Sequence, residues 1–103
     1  MSRKPAFNAA DPDQVDAARR TERMKREQEA ADIKALLADP AGRRVLWRLL
    51  DHCGVFRSSF TGHGARDAFN EGTRNVGLFL MAEITGADPD AFVTMLKESK
   101  QDV

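Results

Sequence analysis

The chain has 103 residues, with 16 basic and 16 acidic side chains, a formal net charge of zero and a single cysteine. This length fits one small domain and excludes an enzyme built from separate cofactor and substrate domains. Charge balance predicts no global attraction to nucleic acid or anionic lipid, and the lone Cys53 excludes an internal disulfide and points to synthesis in a reducing compartment. No apolar run approaches the roughly 20 residues of a membrane span. The opening MSRKPAFNAADPDQ lacks the apolar stretch of a secretory signal, so cytoplasmic synthesis is expected.

Ala-Asp-Pro occurs at 10–12, 38–40 and 87–89. Aspartate is a favoured N-cap, and proline suits the first helical position, where its missing N–H costs nothing. Each triplet therefore predicts a helix start. The first helix is expected from Pro12 to Ala38. Its N-terminal two thirds has only Val15 and Met24 as large apolar residues. Asp16/Arg20, Glu22/Arg26, Arg23/Glu27 and Lys25/Glu29 place opposite charges at helical spacing, each pair worth a few tenths of a kcal/mol. A helix polar all round spans solvent, depends on a partner or is only partly formed. Ile33, Leu36 and Leu37 are its only residues suited to a core.

The second helix is expected from Pro40 to His52 or Cys53, with Leu46, Leu49, Leu50 and Cys53 on one face, Val45 at its border and Gly54 as a left-handed stop. The third is expected from Arg66 to Thr85, ended by Gly86, with Phe69, Val76, Phe79, Leu80 and Ile84 as its apolar side. Gly72 and Gly77 lie inside it, either for close approach of another segment or as simple weak points. The fourth is expected from Pro89 to Ser99, with Phe92, Val93 and Leu96 on one side and a frayed end beyond. No segment shows strand alternation.

Between the second and third helices lies CGVFRSSFTGHG, residues 53–64, with two phenylalanines and one formal charge. Three short helices make a thin core. Phe56 and Phe60 are expected to fold back between the second and third helices, each buried ring adding roughly 1.5–3 kcal/mol. The competing reading leaves one of them exposed as an anchor for a partner.

Catalytic and metal chemistry find little support. His52, Cys53 and His63 are too few and wrongly spaced for a zinc site. Ser58 or Ser59 with His63 and Asp67 supplies the ingredients of a hydrolase triad without a G-x-S-x-G elbow, and no phosphate-binding glycine motif or H-E-x-x-H is present. No catalytic residue, metal or cofactor is expected.

Arginine usage says more. Pro40 to Gly86 holds Arg43, Arg44, Arg48, Arg57, Arg66 and Arg74 and no lysine, against Asp51, Asp67, Glu71 and Glu83. The planar guanidinium suits bidentate pairing and partial burial. Pairing within the chain, such as Arg44 or Arg48 with Asp51 and Asp67 or Glu71 with Arg74, accounts for most of them. Others face a second protein, where arginine is enriched. Trp47, off the leucine stripe, caps a core edge or enters an interface. Arg19, Arg23 and Arg26 form a basic stripe on the first helix, diluted by Asp16, Glu22, Glu27 and Glu29.

The stretch GRRVLWRLLDHCGVFRSSFTGHGARDAFNEGTRNVGLFLMAEI, residues 42–84, resembles a family of small tailed-phage proteins of the type first noted in a Bordetella bacteriophage. Their shared core is similar to R-x-x-L-W-x-L-L…C-G-x-F…S-F…G…F…G-x-R-N-V-G. Here it falls on Arg43, Leu46, Trp47, Leu49 and Leu50, then Cys53, Gly54 and Phe56, then Ser59, Phe60, Gly62 and Phe69, and finally Gly72, Arg74, Asn75, Val76 and Gly77. ADPDAFVTMLKE resembles the family's C-terminal helix, while the charged N-terminal helix lies outside the match. The resemblance implies a phage product encoded among virion-assembly genes, with no enzyme activity or cofactor. It would ride in the particle, at the portal and tail or among the proteins ejected with DNA.

The expected architecture is all-α. Residues 1–11 are a flexible segment and 12–38 a charged, partner-docking helix. Residues 39–103 form a small helical domain, a compact lobe of three short helices with the packed Phe-bearing loop. Contacts to other virion proteins, in a multi-copy symmetric assembly made in the bacterial cytoplasm, are expected at Arg19, Arg23, Arg26, Arg43, Trp47, Phe56, Arg57 and Phe60. The alternative is a small nucleic-acid-binding accessory or regulatory protein, motivated by the arginine-only middle and the Arg19/Arg23/Arg26 stripe; a third and weaker reading is a small enzyme using His63, and no membrane association is expected.

Overall fold

The computed structural model describes residues 6, 8–58 and 62–101. It is all-helical, with no strand among the described residues. Helix α1 spans Pro12–Ala38, α2 Pro40–His52, α3 Gly64–Ala87 and α4 Ala91–Gln101. The Asp-Pro signals act as their chemistry dictates. The Asp11 carboxylate accepts the Asp13 N–H at 2.9 Å, and Asp39 accepts the Ala41 N–H at 3.0 Å. Asp39 also ends α1, its extended backbone donating its own N–H to the Leu36 carbonyl at 3.3 Å. One residue thereby closes one helix and opens the next, as extended backbone before a proline allows.

Two boundaries differ from expectation. Gly86 does not stop α3, which runs on to Ala87 and ends where the Asp88 N–H meets the Ile84 carbonyl at 2.9 Å. Nor does α4 begin at Pro89. Asp88 accepts the Asp90 N–H at 3.0 Å, and Ala91 N–H reaches back to the Asp88 carbonyl, so a turn precedes the helix. The Thr94 N–H to the Asp90 carbonyl, 3.2 Å, then begins the helical ladder.

At the end of α2 the backbone forms a Schellman turn. The Gly54 N–H donates to Asp51 at 3.0 Å and the Val55 N–H to Leu50 at 3.2 Å, with Gly54 at φ +79°. The turn brings Val55 onto the core beside Leu50. Cys53 and Val55 then press on α3 at Gly77. A Cβ there would collide with the Val55 side chain and lie 2.7 Å from the Cys53 Cβ. Gly77 is therefore a close-approach residue, whereas Gly72 faces open space. A second tight spot joins α1 to α2, where a Cβ at Gly42 would strike the Leu36 carbonyl.

The buried core is Leu37, Leu46, Leu50, Ile84, Ala91 and Met95, one or two residues from each helix. Ile33, Trp47, Val55, Leu80 and Met81 pack around it half-buried. Leu36 and Leu49, expected inside, are about half exposed. The larger correction concerns α3. Phe69, Val76 and Phe79 were expected on its apolar core side, yet they are 74%, 63% and 67% exposed. The loop approaches the side bearing Gly77, where no Cβ obstructs it, so Gly77 and Ile84 face inward. At 100° per residue the aromatic stripe lies about a third of a turn away from them.

Helix α1 rests on α3 and α2 through its C-terminal part, with Leu37 buried and Ala30 and Ile33 half-buried. Every side chain from 16 to 29 is exposed. The radius of gyration is 19.1 Å and the extents are 57 × 38 × 27 Å, against about 13 Å for a compact chain of about 100 residues. The elongation follows from a 27-residue helix, about 40 Å long at 1.5 Å per residue. Phe60, Ser59 and Thr61 lie outside the described residues, so the expected burial of Phe60 has no structural counterpart here.

Candidate partner-binding surfaces

The middle of α2 presents Arg43 and Trp47 on the side facing α4. The Arg43 guanidinium grips Glu98, with Nε donating to Oε1 at 2.7 Å and Nη2 to Oε2 at 3.0 Å. Its Nη1 donates to the Leu37 carbonyl at 2.8 Å. One side chain thus ties α2 to α4 and to the last turn of α1, where free carbonyls attract a cation. The hydrogen bond from Arg43 holds the Glu98 carboxyl below its ordinary range, against an opposing effect of partial desolvation. The Arg43 pKa is raised by the same bond. Arg43 was expected at a partner surface; the structure commits it within the chain.

Trp47 stacks on Phe56 with ring centroids 4.9 Å apart and lies 5.9 Å from Phe92, while Phe56 and Phe92 are 6.2 Å apart. Such pairs add about 0.5–1.5 kcal/mol beyond their area. Phe56 therefore packs between α2 and α4, not between α2 and α3 as expected. The reason lies in the turn before it. Val55 is sent into the core at α3, and Phe56, its neighbour, emerges on the other side toward Phe92. It stays 41% exposed, so it is both packed and accessible. Beside Trp47 a cleft of about 430 Å³ runs between α2 and α4, bordered by Arg44, Arg48, Val45 and Met95. Arg44 and Arg48 are exposed and close no ion pair among the described residues.

Arg57 is likewise occupied, its Nη2 donating to the Asp51 carbonyl at 2.7 Å near the end of α2. It borders a second cleft with His52, Cys53, Phe69 and Arg74, whose buried Nε has no hydrogen-bond partner among the described residues. Arg19 and Arg23 stand on α1 around a shallow depression shared with Asp13, Asp16 and Arg20. Arg26 pairs with Glu22 at 3.6 Å, both side chains exposed. Among the described residues the other three expected α1 pairs do not close.

The eight expected contact residues thus do not form one site. Arg43, Trp47 and Phe56 converge at the α2–α4 side, Arg57 caps α2, and Arg19, Arg23 and Arg26 lie along α1, with Phe60 outside the described residues. Glu98 and Phe92, which organise the first group, carry no local signal of doing so, being 55 and 45 residues from Arg43 and Trp47. No group of three or more His, Cys, Asp or Glu side chains suited to a metal ion occurs among the described residues. No helix among them is long and apolar enough to cross a membrane.

The molecule is a small all-helical protein in which Arg43 ties three helices together and whose first helix is largely exposed. Residues 33–97 match the family model of the Bbp19-like phage proteins, and the chain belongs to that family. The match begins at Ile33, where α1 first meets the core, and so takes in the packed part of the fold. Searches of curated proteins and of solved structures found no match.

Proposed function

We propose that this phage protein is a noncatalytic virion component that works by packing on a larger oligomeric assembly, at the portal and tail or among the internal proteins ejected with DNA. The observation that carries this reading is the stretch from 16 to 29, four helical turns whose side chains are all exposed, with Glu22, Arg26 and Glu29 only bordering a crevice beside Phe79 and Glu83 of α3. A helix of such composition has good intrinsic propensity but no apolar face of its own to bury, and a helix polar all round bridges solvent or meets a partner. The packed lobe is the anchor, and α1, with Arg19, Arg23 and Arg26, is the docking element for another virion protein. Multiple copies around a symmetry axis suit such a component.

Quantitative mass spectrometry of purified particles tests this reading. The protein is expected in washed virions at a fixed ratio to the portal or tail proteins, and its absence from them would overturn the proposal. The alternative of a nucleic-acid accessory rests on Arg19, Arg20 and Arg23 meeting at one depression. Asp13 and Asp16 border the same depression and oppose phosphate there. Salt-dependent DNA binding in a gel shift would favour that alternative.

A further inference from the structure

Among the described residues the most exposed large apolar one is Phe69, and it belongs to a pattern. Ala65, Phe69, Gly72, Val76, Phe79 and Glu83 follow one another along α3 at alternating intervals of four and three, the spacing of a helix–helix seam. The flanking positions Ala68, Asn75 and Ala82 are small or uncharged and exposed, and only toward its C-terminal end, at Phe79, Ala82 and Glu83, does the face border a crevice shared with Glu22, Arg26 and Glu29 of α1. A face of this kind has no use for phosphate or solvent and fits another apolar helix.

We propose that a second copy of this chain covers it, α3 against α3, antiparallel about a two-fold axis level with Arg74. That register sets Phe69 against Phe79 of the second copy and Val76 against Gly72 of the second copy. The open space at Gly72, with nothing within 4 Å of the missing Cβ, receives the valine, and symmetry does this twice. At each end Glu83 falls beside Arg66 of the second copy. Neither closes an ion pair within its own chain among the described residues, although Arg26 borders the same crevice as Glu83. A parallel pairing would leave a gap at Gly72 against Gly72 and set Glu83 against Glu83. Phe69, Val76 and Phe79 alone expose about 350 Å² per copy at the usual area of such side chains, so two copies with their alanines and rims approach the roughly 1,200 Å² at which stable interfaces begin.

This inference does not depend on the virion reading, because its test uses the purified chain alone. Sedimentation equilibrium of the full chain, from about 10 to 500 µM to bracket a micromolar dissociation constant, is expected to give twice the 11.4 kDa chain mass. Val76→Glu buries an unpaired charge at the seam. It is expected to weaken the dimer roughly 100-fold or more with an unchanged far-UV circular dichroism spectrum. In a Cys53→Ser background, Asn75→Cys, close to the axis, is expected to oxidise to a linked dimer. Thr85→Cys, far from the axis in an antiparallel pair, is not. A monomer throughout the concentration range overturns the proposal, even if another virion protein then covers the stripe. So does a folded Val76→Glu dimer, and so does linkage through Thr85→Cys.

Discussion

Arg43 holds Glu98 with two hydrogen bonds, at 2.7 and 3.0 Å, and with its remaining arm it closes the end of α1 on the Leu37 carbonyl. The bond raises the affinity of the fold for the ionised form of Glu98, so its folded pKa lies below the ordinary carboxylate value. The unfolded chain then takes up the proton first, and acid favours unfolding. The contribution is fully present above the ordinary glutamate range and is lost as pH falls through the lowered value. Thermal unfolding midpoints are expected to drop on acidification, and Glu98→Gln should flatten that part of the profile. A variant that follows the same acid profile would assign the loss to other carboxylates. Arg43→Ala should lower the midpoint more than Glu98→Gln, since it also strips a partner from the Leu37 carbonyl.

Gly77 and Gly54 give opposite lessons about one residue type. Gly77→Ala improves helix propensity by about 1 kcal/mol, but overpacking against Cys53 and Val55 costs about 1–3 kcal/mol. A net loss of stability is expected in urea titration. At Gly72, where the space is open, alanine should stabilise the isolated monomer. Gly54→Ala must hold φ +79° and is expected to cost about 1–2 kcal/mol. Equal stability of the two α3 variants would contradict the close approach at Gly77.

Much of this architecture could be read from the chain because its signals are local. Asp11-Pro12 and Asp39-Pro40 each encode their own cap, Asp88-Pro89 makes a turn ahead of α4, and the Schellman turn at Gly54 needs only the few residues around it. The faces of the helices were less legible. Leu46 and Leu50 identify the inner side of α2, but on α3 apolar residues lie nearly all round. The larger ones, Phe69, Val76 and Phe79, suggested the core side, and the true inner side is marked by the absence of a side chain at Gly77. The pairing of Arg43 within the chain was hidden for a related reason. Its acceptor is on α4, and no periodicity connects residues 55 apart.

The aromatic group should behave as a clasp between the loop and α4. Phe56→Ala is expected to cost about 1–2 kcal/mol, less than a fully buried phenylalanine because the ring is half exposed. In a double-mutant cycle Trp47→Ala and Phe56→Ala should couple by about 0.5–1.5 kcal/mol. Additivity would mean that the 4.9 Å stack contributes nothing beyond area.

Charge reversal on α1 separates folding from docking. Arg19→Glu with Arg23→Glu alters two exposed side chains that make no ion pair among the described residues. Stability of the isolated protein should stay within about 0.5 kcal/mol. Incorporation into particles, measured by quantitative mass spectrometry of virions from a phage carrying the variant, should fall sharply. Normal incorporation would place docking elsewhere.

Cross-linking within intact particles tests the central claim most directly. Lys25 sits in the exposed stretch of α1. The account predicts amine-reactive cross-links from Lys25 to a different virion polypeptide in washed particles. Cross-links from Lys25 confined to its own chain, in particles that do contain the protein, would contradict it.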